Sequence, residues 1–421
     1  MLITLTSGGS RGDAQPYVAL AHGFKRAGHQ VRFVTSPDYA PLVEGAGFDC
    51  RYVDLTIRSL MESEQGMAMQ DAGANPLRFL HGLKKLLEPV VEQMLVCAQE
   101  NFPGSNALIV PSSGAMFGSE AFEWLRIPFC TALLQPLAPT AVFQHPFFPP
   151  YAPWIPAGKQ VYNRSSYALA DMAVKTIATP VIRRALCKMG INAGHPASKK
   201  SPARPLLFGF SPLVVAPPVD WPPHVKATGY WFLDLTETYD PPAGLVDFIN
   251  AGSKPVSIGF GSMSTRNPEE FTRLIVDALR ISRQRGVLIA GWGGMGKAKL
   301  PDSVFLVDSV PHDWLFPCMA AVVHHCGAGT TGAGLRAGVP AVAVPFFADQ
   351  LFWARRLHEL GVAPKPIPRK KLTSENLAQA IGEAINSREI KRSSEELGNK
   401  IRAEDGVGVA VEIAERYFNK T

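Results

Sequence analysis

Leu2-Ile3-Thr4-Leu5-Thr6-Ser7-Gly8-Gly9-Ser10-Arg11-Gly12-Asp13 opens the chain as a short apolar strand that runs into a glycine-rich loop. After the loop, Val18, Leu20, Ala21 and Phe24 fall on one face of a helix, with Pro16 near its first turn and Gly28 closing it. Val31-Arg32-Phe33-Val34-Thr35 then reads as a second strand. Strand, loop, helix and strand within about 35 residues make a βαβ unit, which implies a parallel sheet that gathers ligands at the carboxyl ends of its strands.

The same grammar recurs in the second half. Pro255-Val256-Ser257-Ile258-Gly259-Phe260 reads as a strand ending in Gly261-Ser262; a helix is predicted over 268–285, and Val287-Leu288-Ile289-Ala290 is the next strand. Ala321-Val322-Val323 leads into His324-His325-Cys326-Gly327-Ala328-Gly329-Thr330-Thr331, and Ala341-Val342-Ala343-Val344 into Pro345-Phe346-Phe347-Ala348-Asp349-Gln350. The expectation is an α/β protein of two doubly wound domains. Residues 1–215 form the first and 243–400 the second, a Pro-rich linker spans 216–242, and 401–421 is a helix packing back on the first.

Composition agrees with a chain folded throughout: 421 residues, 46% hydrophobic and 19% charged, enough apolar material for two cores. The net charge of +6 lies in short scattered groups such as Arg183-Arg184 and Arg369-Lys370-Lys371. That pattern lacks the dense basic stripe of a nucleic-acid binder but allows weak attraction to an anionic membrane surface. Six cysteines without a Cys-x-x-Cys pair read as free thiols in a reducing compartment. No apolar run approaches the roughly 20 residues of a membrane span, and the first residues read as a strand rather than a signal peptide. A soluble, cytoplasmic protein with at most peripheral membrane contact, monomeric or weakly dimeric, is expected.

Two glycine-rich strings compete for a phosphate. Gly291-Trp292-Gly293-Gly294-Met295-Gly296 matches G-x-G-x-x-G, but no long helix starts at its glycines, so a plain turn is the better reading. His325 to Thr331 places small residues and hydroxyls at the opening of a helix that ends near Gly338, where bare N–H groups and the helix dipole suit a phosphate. With no Asp-x-Asp and no Cys/His cluster, a divalent metal site is not expected. The prolines and aromatics from Gln144 to Pro156 form either a rigid loop packed on its own core or an apolar wall of a substrate pocket.

Together, Gly9-Ser10-Arg11-Gly12-Asp13-Ala14-Gln15-Pro16, Gly259-Phe260-Gly261-Ser262, His324 to Thr331 and Pro345 to Gln350 resemble the GT-B sugar transferases. The sterol 3-β-glucosyltransferases and the glycopeptide-antibiotic (vancomycin-group) glycosyltransferases are the most similar families. The resemblance implies two Rossmann-like domains facing a central cleft, with Asp13 as catalytic base. It implies a diphosphate cradle of His325, Gly327, Gly329 and Thr330 with Ser10, Gly261 and Ser262, and a donor-sugar clamp of Asp349 and Gln350. Val310 and Ser309 would meet the base, with Trp292 either stacking on it or lying in the core. The related plant enzymes carry tryptophan where Ser309 stands and a ribose-binding glutamate where Ala333 stands. Phe143, His145, Phe147, Phe148 and Trp154 would line the acceptor pocket.

The implied reaction is a single displacement with inversion at the anomeric carbon, without metal or cofactor. It would move a hexose, glucose from UDP-glucose, to the hydroxyl of an apolar, sterol-like acceptor. A natural-product glycosyltransferase using a UDP- or dTDP-sugar is the alternative, and a sugar-nucleotide epimerase or a non-catalytic sugar-nucleotide-binding protein is the alternative of another class.

Overall fold

The computed structural model describes residues 1–53, 56–64, 66–67, 90–111, 124–156, 158–191, 203–263, 267–291, 295 and 299–421. The chain forms two compact units, Met1–Leu233 with Asp405–Thr421, and Asp234–Glu404.

In the first unit, β1 (Leu2–Thr6), β2 (Gln30–Thr35), β3 (Asp49–Tyr52), β4 (Ala107–Val110), β5 (Phe129–Leu133), β6 (Leu206–Phe208) and β7 (Val225–Ala227) form one sheet in the order β3-β2-β1-β4-β5-β6-β7. Every pairing is parallel. The interior strand β1 is covered on both faces, so Ile3, Thr4 and Leu5 are all fully buried. Thr4 is tolerated there because its hydroxyl pairs with Ser105 Oγ at 2.7 Å.

Helix α1 (Arg11–Arg26) follows β1, and it starts a turn earlier than the position of Pro16 predicts. Ser10, in extended conformation at φ −80° and ψ 177°, is its N-cap, a place that serine favours. Pro16 therefore lies in the second turn. Val18, Leu20, Ala21 and Phe24 are buried as their spacing requires, and Gly28 takes φ +85° beyond the helix end. The Pro-rich stretch does more than link, because Val225–Ala227 pairs with β6 before the first unit ends at Leu233. Prolines flank it without breaking ladder bonds since β7 is an edge strand.

A helix of 30 residues, α2 (Lys159–Lys188), belongs to the same unit. The chain's last helix does too. Its side chains Val407 and Val411 lie against Gly23 of α1, where an added Cβ would come within 2.4 Å of Val407 Cγ1. Only a glycine lets the two helices approach so closely.

The second unit holds β8 (Val256–Gly259), β9 (Gly286–Ile289), β10 (Val304–Val307), β11 (Ala321–His324) and β12 (Ala341–Ala343), all parallel, in the order β10-β9-β8-β11-β12. Helix α3 (Pro268–Ser282) joins β8 to β9 and stops three residues short of the predicted end, because Arg283 turns left-handed at φ +55°. Helix α4 (Ala328–Ala337) follows β11, and α5 (Gln350–Glu359) follows β12. Asp313 holds the start of this unit, accepting hydrogen bonds from Leu235 N–H (2.7 Å), Thr236 N–H (2.8 Å) and Thr236 Oγ (2.7 Å).

Candidate active site

Both sheets reverse strand order beside their central strand, and ligands of open parallel sheets collect at that switch point. In the second unit the switch lies between β8 and β11. The two loops that leave it are Phe260–Met263 and His325–Gly327, so two of the motifs singled out from sequence meet there. His325 is the contact between them. A Cβ on Gly261 would sit 2.9 Å from His325 Cε1, and one on Gly327 would sit 2.6 Å from His325 Nε2. The imidazole thus fits between two glycines. Gly291 closes the same corner, since a Cβ there would come within 2.4 Å of the Gly261 carbonyl oxygen.

Burial drives the His325 pKa down to about 4, with the charge of His312 adding to it, so the ring is neutral at pH 7. Its Nδ1 is buried with no hydrogen-bond partner. A buried polar nitrogen left unpaired is costly and points to a ligand group that completes it. The neighbouring His324 supports the loop instead, because its Nδ1 accepts the Cys326 N–H at 3.1 Å. Behind the loop, α4 begins at Ala328 with Gly327 as an N-cap that offers no side chain. Thr331 N–H is bonded to the Gly327 carbonyl at 2.9 Å, while the N–H groups of Ala328, Gly329 and Thr330 have no intrahelical acceptor. Thr330 is half-buried and Thr331 is buried, which leaves Thr330 as the accessible hydroxyl. This set of donors at a helix N-terminus can hold an anion.

Besides Arg283 at the end of α3, two non-glycine residues of this unit adopt left-handed backbone conformations, Cys326 at φ +66° and Ala348 at φ +53°. Each is adjacent to a candidate donor-binding residue, His325 or Asp349. Strain of this kind costs of order 1–3 kcal/mol and collects where a side chain must be aimed. Nothing in the sequence marks either position, because neither is a glycine or an asparagine.

The clamp residues divide. Gln350 is buried; its Oε1 accepts from Phe346 N–H (2.9 Å) and Phe347 N–H (3.3 Å), and its Nε2 approaches Met263 Sδ at 3.3 Å. The amide therefore ties the loop that carries Phe346 and Phe347 to the start of α5. Asp349 accepts the Trp353 indole N–H at 3.1 Å through Oδ2. That bond orients the carboxylate on the first turn of α5.

Val310 is buried in the core with Leu245, Val307 and Leu315, and Ser309 is exposed beside it. Trp292 lies outside the described residues.

In the first unit the switch lies between β1 and β4, and the chain leaving β1 enters α1, whose first turn carries Asp13. Its Oδ2 accepts from Ser10 N–H at 2.7 Å and Ser10 Oγ at 3.0 Å. Both the backbone N–H and the hydroxyl of Ser10 are thus engaged by Asp13 in this structure. Burial nonetheless raises the Asp13 pKa above the usual carboxylate range, only partly offset by these two bonds. A carboxylate kept poorly solvated is a stronger proton acceptor. Gly9 makes the arrangement possible: it has φ +109°, and a Cβ there would lie 2.4 Å from Asp13 Oδ2.

The Pro/aromatic segment packs mainly on itself. His145 Nδ1 accepts the Phe147 N–H at 3.3 Å, and its ring meets Phe147, Phe148 and Tyr167 edge-on at 5.1, 5.9 and 5.3 Å. Phe143 packs edge-on against Trp221 at 6.3 Å. Trp154 stands 83% exposed. Burial lowers the His145 pKa to about 4.

Gly327→Ala separates the cradle from the fold. Gly327 has an ordinary backbone at φ −62° and ψ 146°, so alanine adds no backbone strain. Its Cβ would instead displace the His325 ring. The expected result is a donor Kd raised about tenfold or more with the melting temperature nearly unchanged, measured by nucleotide titration and calorimetry. Unchanged donor affinity would remove His325 from the donor site.

Residues 3–103 match the Glycosyltransferase family 28 N-terminal domain, and residues 289–416 match the C-terminal domain of Erythromycin biosynthesis protein CIII-like proteins. The chain is 34% identical to the sterol 3-beta-glucosyltransferase UGT80A2 of Arabidopsis thaliana over 98% of its own length and 64% of that protein. It is 36% identical to the sterol 3-beta-glucosyltransferase of Aspergillus oryzae over 97% of its own length and 30% of that protein. The chain therefore spans only part of the length of these curated relatives. Among solved structures, the glycosyltransferase SsfS6 of Streptomyces sp. SF2575 aligns over 99% of both chains with a TM-score of 0.63 at 18% identity. Its complex with thymidine diphosphate aligns with a TM-score of 0.62 at 17% identity. The chain has the GT-B fold and, over nearly its whole length, is similar in sequence to the sterol 3-beta-glucosyltransferases.

Proposed function

We propose that this chain is an inverting, metal-independent glycosyltransferase that moves glucose from UDP-glucose to the hydroxyl of a sterol or a similar apolar alcohol. The observation that carries the reading is the half-buried Asp13 carboxylate in the first turn of α1, held by Ser10 and with its pKa raised by burial, in a chain similar to the sterol glucosyltransferases. Asp13 takes the acceptor's hydroxyl proton. The acceptor oxygen then bonds to the anomeric carbon as the bond from that carbon to the diphosphate oxygen breaks, and the electron pair leaves with the nucleoside diphosphate. One displacement turns an α-linked donor into a β-glycoside.

His325 and the N-terminus of α4, with Gly327, Gly329 and Thr330, hold the leaving diphosphate, and Gly261 and Ser262 complete the cradle. Asp349 pairs with the sugar hydroxyls while Gln350 orders the loop that presents it. The backbone at Ser309 and Val310 meets the base. The protein works in the cytoplasm as a monomer or weak dimer, with peripheral contact to membrane.

Asp349→Ala is expected to depress transfer far more than nucleotide binding, since a sugar hydroxyl loses a charged partner worth roughly 1.5–3 kcal/mol. Equal loss of UDP affinity would place Asp349 elsewhere. The proposal is tested with labelled UDP-glucose and a panel of sterols, phenols, polyketide aglycones and polar sugars. Glucosylation of sterols supports it. Transfer only to polyketides or phenols, or only from a dTDP-sugar, favours a natural-product enzyme. Donor turnover without acceptor would indicate an epimerase, and no turnover a binding protein.

A further inference from the structure

We infer that the exposed face of α2 docks on an anionic phospholipid bilayer, which deepens the peripheral-membrane part of the proposed function and rests on it. Val161, Leu169 and Met172 lie on one stripe of this helix and are 55%, 49% and 59% exposed. Trp154, 83% exposed, sits at the helix's N-terminal end. Its turn is held there by the Tyr162 hydroxyl, which donates to the Pro149 carbonyl at 2.8 Å, and by the Tyr151 and Tyr162 rings, 5.9 Å apart. Trp154, Val161, Leu169 and Met172, a third of the exposed large hydrophobic side chains among the described residues, therefore gather along one helix. A monomer rarely leaves so many together without a surface to meet.

Charge selects the occupant. Helix α2 carries six basic residues, Lys159, Arg164, Lys175, Arg183, Arg184 and Lys188, against the single acid Asp171, so it supplies +5 of the chain's net +6. Arg164, Lys175 and Lys188 form ion pairs with Asp220, Asp171 and Glu92. Lys159, Arg183 and Arg184 are exposed along the helix. An apolar stripe with an exposed tryptophan and flanking bases suits the headgroup region of an anionic bilayer. A second copy of the chain would bring the same positive helix to a two-fold contact, and like charges would oppose it.

The test is co-sedimentation of the whole chain with vesicles of phosphatidylcholine alone and of phosphatidylcholine with phosphatidylserine. The expected result is binding about tenfold tighter to the serine-containing vesicles, weakening as salt rises. The triple variant Val161→Ser, Leu169→Ser, Met172→Ser should lose about tenfold or more of that binding with an unchanged melting temperature. Arg183→Gln with Arg184→Gln should reduce the preference for phosphatidylserine. Glucose transfer to a water-soluble acceptor should persist in the triple variant, so loss of docking is read separately from loss of the proposed reaction. Wild-type binding that ignores phosphatidylserine, or a triple variant that binds like wild type, would overturn the inference. A concentration-dependent dimer that dissolves in the triple variant would assign the face to a second copy and overturn it as well.

Discussion

Asp13→Asn is expected to cut turnover by roughly 10²–10⁴-fold at saturating donor and acceptor, with donor affinity kept. A carboxylate that only completes the start of α1 predicts otherwise. Asparagine can still accept a hydrogen bond from Ser10 through its amide oxygen, so both helix and activity would survive. Stability supplies a second discriminator. Burial raises the folded-state pKa of Asp13 above its unfolded value, so above that unfolded pKa the ionised group works against folding. Removing the charge should leave the melting temperature equal or higher while activity collapses. The same shift fixes the pH dependence. Turnover should fall as pH drops through the raised Asp13 pKa, and that acid limb should vanish in the residual activity of Asp13→Asn. A variant that turns over like wild type would move the base elsewhere. His22 is a poor substitute: it lies nine residues further along α1, on the order of 13 Å away and on the opposite face. His145 is committed to the Phe147 N–H.

The second large effect is on donor binding. His325→Ala should weaken the donor by roughly 1.5–3 kcal/mol, about 10- to 150-fold in Kd, because a buried donor to an anionic oxygen is lost. The fold should tolerate the change, since the wild-type ring makes no buried hydrogen bond through Nδ1 for the mutation to break. Titration with UDP-glucose and with UDP separates the two parts of the donor. Loss on both places His325 at the diphosphate, whereas loss on UDP-glucose alone would place it at the sugar.

Much of this was legible in the sequence because the sheet topology is local. Each βαβ unit is written in one stretch of chain, and the loops that follow β1, β8 and β11 announce themselves by their glycines. His325 belongs to that legible part: its glycine neighbours were visible, though not that Gly261, 64 positions earlier in the numbering, would press on the same ring. The contacts of Gln350 were not legible, because they are set by tertiary proximity. Met263 and the backbone of Phe346 and Phe347 satisfy an amide that sequence alone leaves available. The pairing of Ser10 is local by contrast, with its partner Asp13 three residues away. Strand β7 hid among prolines, since an edge strand needs only one side of its ladder. The aromatic segment was ambiguous because self-packing and pocket lining use the same residues.

The most direct test of the central claim is the anomeric configuration of the product formed from UDP-glucose and a sterol, read from the coupling constant of the anomeric proton. A single displacement assisted by Asp13 predicts the β-glucoside alone. An α-glucoside, or donor hydrolysis without any glycoside, would contradict it.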